Sequence, residues 1–241
     1  MTNALHEYTA QRLWVTWRSE KRGGRPTKVP YSPTINGRAS STDPSTWATR
    51  AIVEHAVERE GYDGIGIVLA GIDEGRHLGG IDLDSCIDAE GNVAPWARKI
   101  VERVNSYTEI SPSGYGLKIF FEHDPRETLA EGMRWRSAVH QPPPNGGKKQ
   151  RGVEFYVRGR YFTVTDKTFE NFDTVRHVGL DTLLEVQAKM EAFAEKPKPP
   201  THHPRRQDDE QQRILDAIGR LPNHDLHWED NVKLGPQEWY E

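Results

Sequence analysis

At 241 residues, 35% hydrophobic and 28% charged, the chain has room for one substantial core and a small appendage, not for a string of catalytic domains. No run nears the roughly eighteen apolar residues of a membrane span, and residues 1–12 hold no apolar signal core. The single Cys86 excludes an internal disulfide and a multi-cysteine zinc site, and the expected compartment is a reducing cytoplasm. A net charge of −4 argues against a polyanionic partner only as an average, because the charges are segregated. Residues 12–38 carry seven basic side chains against Glu20, and residues 134–160 carry seven against Glu154. Between them, residues 73–90 hold six acids against Arg76. Two basic blocks around an acidic one suit a polyanion held near a metal; solvated loops of mixed sign are the plainer alternative.

In chain order, Leu13–Trp17 reads as a short apolar strand, followed by a Gly-, Pro- and Arg-rich loop over 18–38. Asp43-Pro44 predicts a helix start and Gly61 its stop. Gly66–Leu69 and Leu78–Leu83 read as buried strands, and Pro95 opens an amphipathic helix through Trp96, Ile100, Val101 and Val104. Tyr107–Ile110, the turn 111–114 and Leu117–Phe121 predict strand, turn, strand. Residues 137–150, with three prolines and Asn-Gly-Gly, read as a mobile loop; Val153–Val157 and Tyr161–Thr165 flank Arg158-Gly159-Arg160 as a hairpin. A helix from Asp181 would bury Leu183, Val186, Met190 and Phe193. The organisation expected is a domain over 1–194, an exposed linker over 195–211 and a short helical segment over 212–241, in which His224-x-x-His227 has no convincing ligand spacing. No G-x-x-x-x-G-K-[ST] phosphate loop is present.

The sharpest chemical feature is Gly79-Gly80-Ile81-Asp82-Leu83-Asp84. In a strand, Ile81 and Leu83 face one side and Asp82 and Asp84 the other, and two such carboxylates suit a hard divalent cation; a surface strand with solvated acids is the alternative. Glu154, between Val153 and Phe155, is an acid in an apolar run and needs a partner or a cation, Arg158 and Arg160 being the simplest partners. In Ser111-Pro112-Ser113-Gly114-Tyr115-Gly116-Leu117-Lys118, the bare glycines Gly114 and Gly116, the Ser113 hydroxyl and the Lys118 ammonium suit a triphosphate, against a plain hairpin turn. Arg160 complements phosphate; Tyr161 and Thr163 share a face, while Phe162 and Val164 read as core. Trp14 and Trp17 read as core and hinge packing.

Taken in order, Gly-Ile-Asp82-Leu-Asp84, Ser113-Gly-Tyr-Gly-Leu-Lys118, Val-Glu154-Phe-Tyr and Gly-Arg160-Tyr-Phe-Thr-Val-Thr resemble the primase-polymerase domain of phages and plasmids, within the archaeo-eukaryotic primase superfamily. Trp14-x-x-Trp17, Lys28-Val-Pro-Tyr and Ser41-Thr-Asp-Pro44 extend the likeness over about residues 10–170. The resemblance implies an α/β (α+β) fold, with a mixed RNA-recognition-like sheet flanked by helices. It implies Asp82, Asp84 and Glu154 as catalytic ligands of Mg²⁺ or Mn²⁺, and Ser113, Gly114, Gly116, Lys118 and Arg160 as the nucleotide site. Lys118 departs from the family pattern, which has histidine near that place. Arg25, Lys28, Arg134, Arg136, Lys148 and Lys149, from the two basic blocks, are expected to track a single-stranded DNA template or primer-template. The implied activity is template-directed DNA primase or DNA polymerase chemistry, by two-metal phosphoryl transfer, on dNTPs or NTPs in phage or plasmid replication, with a replicative helicase in trans and no membrane. A two-metal nuclease and a catalytically degenerate single-strand or origin-binding module are the other readings that these residues leave.

Overall fold

The structure is a computed structural model that describes residues 4–35, 37–136 and 150–193. The predicted linker 195–211, the segment 212–241 and nearly all of the loop 137–150 lie outside the described residues.

Strand β1 (Trp14–Arg22) runs past its predicted end. Gly23 and Gly24, at φ 56° and 76°, turn the chain straight back into β2 (Arg25–Ser32). Two successive left-handed residues match the twist of paired strands, and glycine adopts them without a Cβ clash. The expected basic loop 18–38 is therefore a hairpin, edged by β3 (Gly37–Arg38). Asp43 caps only a single 3-10 turn, Pro44–Thr46. Ala48 then exchanges backbone hydrogen bonds with Trp14 at 2.9 and 3.0 Å. That bridge holds the chain extended, so α1 (Arg50–Glu60) starts only after it; Gly61, at φ 67°, stops it.

The remaining elements are β4 (Gly64–Leu69), β5 (Gly71–Asp73), β6 (Arg76–Asp84), α2 (Pro95–Val104), β7 (Thr108–Ile110) and β8 (Leu117–His123). They are followed by β9 (Gly132–Arg136), β10 (Gly152–Tyr156), β11 (Arg160–Val164) and α3 (Leu180–Phe193). The class is α+β. In place of one mixed sheet there are two antiparallel ones, β11-β4-β1-β2-β3 and β7-β8-β6-β10-β9, with β5 beside β6.

Strands β10 and β11 do not form the predicted hairpin. Gly159, at φ 67°, donates its N–H to the Leu69 carbonyl at 3.1 Å, which passes the chain from the second sheet to the first. β10 accordingly pairs with β6 and β9, and β11 with β4.

One face of the second sheet, with Ile81, Leu83, Ile119, Phe121, Val153 and Phe155, packs against Val101 of α2 and Leu183, Val186 and Met190 of α3. The other face sends Leu78, Phe120 and Tyr156 into a second core with Phe162, Ile67 and Trp14 of the first sheet. At Gly80 the sheets meet closely, since a Cβ there would stand 2.5 Å from the Phe162 ring. Gly80→Ala is expected to overpack this contact and cost about 1–3 kcal/mol in urea melts; an unchanged midpoint would show that Phe162 is free to give way.

Candidate active site

Alternation along β6 assigns Ile81 and Leu83 to the helix-backed core. Asp82 and Asp84 therefore leave from the opposite face. The register extends this face into a charged row, because Glu109, Lys118, Asp82, Glu154 and Arg134 stand directly opposite one another on β7, β8, β6, β10 and β9. Two residues further along, Asp84, Gly152 and Arg136 form a second row.

Lys118, Asp84 and Glu154 are each less than a tenth exposed, so their charges need close partners. Lys118 Nζ lies 3.1 Å from Asp82 Oδ2. Arg136 Nη1 donates to Asp84 Oδ2 at 2.8 Å, and its Nη2 donates to Glu154 Oε1. Gly152, between Asp84 and Arg136 in the register, has no side chain, and a Cβ there would collide with the Arg136 side chain. The Tyr156 hydroxyl donates to Glu154 Oε2 at 2.9 Å, and Arg134 Nε and Arg160 Nη2 stand 3.6 and 3.9 Å from the same oxygen.

Behind Lys118 lies Glu109, with no exposed surface. It accepts hydrogen bonds from the Tyr107 hydroxyl at 3.1 Å and from Thr165 N at 3.0 Å. Burial pushes its carboxyl up to about 7, against the pull of those donors and of the Lys118 charge. The native protein thus holds this proton more tightly than the unfolded chain does. Its contribution is most favourable below the ordinary carboxylate range and is lost as pH rises through about 7. Glu109→Gln is expected to gain on wild type by about 3 kcal/mol between pH 5 and pH 8 in paired urea melts; a pH-independent difference would remove Glu109 as the titrating group.

The SPSG turn sits at the end of β6. Gly114, at φ 79°, donates to Ser111 O at 2.9 Å, and Ser111 Oγ meets Ser113 Oγ at 3.0 Å. Gly116 lies against β6 so closely that a Cβ would stand 2.7 Å from Leu83 O. The result is a cavity of about 660 Å³ that gathers Asp82, Asp84, Glu154, Ser113, Lys118 and Arg160. The first sheet adds Trp17, Lys28, Tyr161 and Thr163.

Gly114 and Gly116 shape the turn, and Arg25 begins β2. Arg134 and Arg136, expected along a template, stand in the acid rows. Lys148 and Lys149 lie outside the described residues. Trp14 and Trp17 are both buried, as expected of packing residues, and Trp17 also lines the cavity. Strand β9 went unforeseen, although Gly-Met133-Arg134-Trp135-Arg136 alternates apolar and basic residues with the period of a strand.

Among the described residues, no three His, Cys, Asp or Glu side chains gather as a formed metal site. Lys118 and Arg136 supply countercharge to the carboxylates instead. In chemistry the donor set fits Mg²⁺ or Mn²⁺: all its ligands are carboxylate oxygens, on neighbouring strands and on one face.

No protein-family model matches the chain. Over 171 residues, 70% of its length, it is 34% identical to a protein of Nitratiruptor phage NrS-1 named DNA primase-polymerase. The aligned stretch is 21% of that relative, so the chain spans about a fifth of its length.

Proposed function

As a homologue of a phage DNA primase-polymerase, this chain is, we propose, a template-directed nucleotidyltransferase that joins dNTPs or NTPs to a strand paired with single-stranded DNA. The observation that carries this reading is one cavity holding three carboxylates from two neighbouring strands beside Lys118, Arg160 and Ser113. Acids alone would suit hydrolysis equally well; the adjoining cations and hydroxyl suit a triphosphate.

Asp82, Asp84 and Glu154 would hold the Mg²⁺ or Mn²⁺, which when bound lowers the pKa of the attacking 3′-hydroxyl and offsets charge on the departing pyrophosphate. The 3′-oxygen forms a bond to the α-phosphorus as the bond to the β-phosphate oxygen breaks. Lys118, Arg160 and the Ser113 hydroxyl orient the β- and γ-phosphates. Lys28, which lines the cavity, meets the template backbone. A replicative helicase would act in trans.

The test is a primed single-stranded template with nucleotides and Mg²⁺ or Mn²⁺. Extension is the expected result, and its absence in both metals overturns the reading. Shortening of DNA without nucleotides would point to a nuclease. Salt-sensitive DNA binding indifferent to metal and to Asp82 would point to a binding module.

A further inference from the structure

One face of the first sheet carries Trp17 of β1, Gly64 and Gly66 of β4, and Tyr161 and Thr163 of β11, because Trp17 pairs with Gly64 and Thr163 with Gly66. On that face β4 has no side chain at Gly64 and Gly66; its third residue there is the buried Val68, opposite Tyr161. A Cβ at Gly64 would stand 3.0 Å from the Trp17 indole nitrogen, and one at Gly66 would stand 2.9 Å from the Tyr161 ring. Two aromatic rings therefore lie over the two glycines, with Thr163 beside them. The Tyr161 hydroxyl is committed, donating to Lys28 O at 2.6 Å.

Trp17 Nε1 and Thr163 Oγ1 are different. Both atoms are buried without a hydrogen-bond partner, in residues 8% and 4% exposed, and both residues line the cavity. The other such atoms among the described residues, Arg18 Nε and Glu127 Oε2, belong to residues that do not line it. Buried polar groups are normally satisfied, so two exceptions in residues of one cavity call for an explanation.

We propose that Trp17 Nε1 and Thr163 Oγ1 bind the pentose hydroxyls of the incoming nucleoside triphosphate, an inference that rests on the nucleotidyl-transfer reading. A templated enzyme accepts four bases whose edges differ in donors and acceptors, so fixed wall groups do not suit all four edges. The pentose is common to every nucleotide. An indole N–H only donates, whereas a threonine hydroxyl both donates and accepts. Together they match a sugar hydroxyl, which has a lone pair to offer and a proton to give.

Thr163→Val removes the hydroxyl and keeps the shape; Trp17→Phe removes the N–H and keeps a ring over Gly64. Single-nucleotide incorporation on a primed template is measured with a dNTP and with the matching 2′,3′-dideoxynucleotide. Wild type is expected to favour the nucleotide with the 3′-hydroxyl. Thr163→Val raises KM for the dNTP by about tenfold and leaves the dideoxynucleotide nearly unchanged, so the preference collapses; Thr163→Ser retains it. The free Thr163→Val protein melts no lower than wild type, because the methyl replaces a group without a partner, and this separates a lost contact from misfolding. If wild type incorporates nucleotides and both variants keep its preference, the sugar assignment is wrong and the transferase reading survives. If wild type incorporates neither nucleotide, the transferase reading itself fails.

Discussion

Asp82→Asn combined with Asp84→Asn is expected to lower primer extension by about a thousandfold or more, the scale on which charge stabilisation at a reacting phosphate is lost. The fold should survive. Asparagine keeps an oxygen toward Lys118, which stands 3.1 Å from Asp82 and faces Glu109 on its other side. Arg136 loses one carboxylate and keeps Glu154. The measurement is a single-turnover extension rate in Mn²⁺ beside a melting curve for the same protein. Extension within tenfold of wild type, with an intact melt, would remove the aspartates from the chemistry.

Arg136→Met is expected to move two quantities in opposite directions. Asp84 and Glu154 are both nearly buried and share this guanidinium, so its loss leaves two neighbouring carboxylates without their common countercharge. The metal-free protein should lose about 2–4 kcal/mol. The same change removes a fixed positive charge from beside the oxygens that would hold a cation, so Mn²⁺ affinity should rise about tenfold or more. Melting with and without Mn²⁺ reads both effects, since a ligand stabilises the form it binds. The variant starts lower and gains more from Mn²⁺ than wild type does. Equal gains in the two proteins would mean that Arg136 and the cation do not compete.

The sequence disclosed the parts of the site that obey local rules. Alternation along 79–84 separated Asp82 and Asp84 from Ile81 and Leu83, and the structure places them on opposite faces of β6 as that rule requires. Pro95 and Gly61 fixed helix ends because their constraints are internal to one residue. The misses depended on partners far along the chain. Arg158-Gly159-Arg160 has a hairpin's composition, and only the bond from Gly159 to Leu69 makes it a crossing between sheets. The strand carrying Arg134 and Arg136 was not recognised, and only register puts them opposite Glu154 and Gly152. Trp17 is buried as its packing role required, but that its indole nitrogen is unsatisfied shows only when its surroundings are known.

Val157, Arg158 and Gly159 are all that separate the strand bearing Glu154 from the strand bearing Thr163. The two walls of the cavity are thus neighbours along the backbone as well as in space. A connector this short acts as a calliper: its covalent reach limits how far one wall can drift from the other, even where side-chain packing softens with heat.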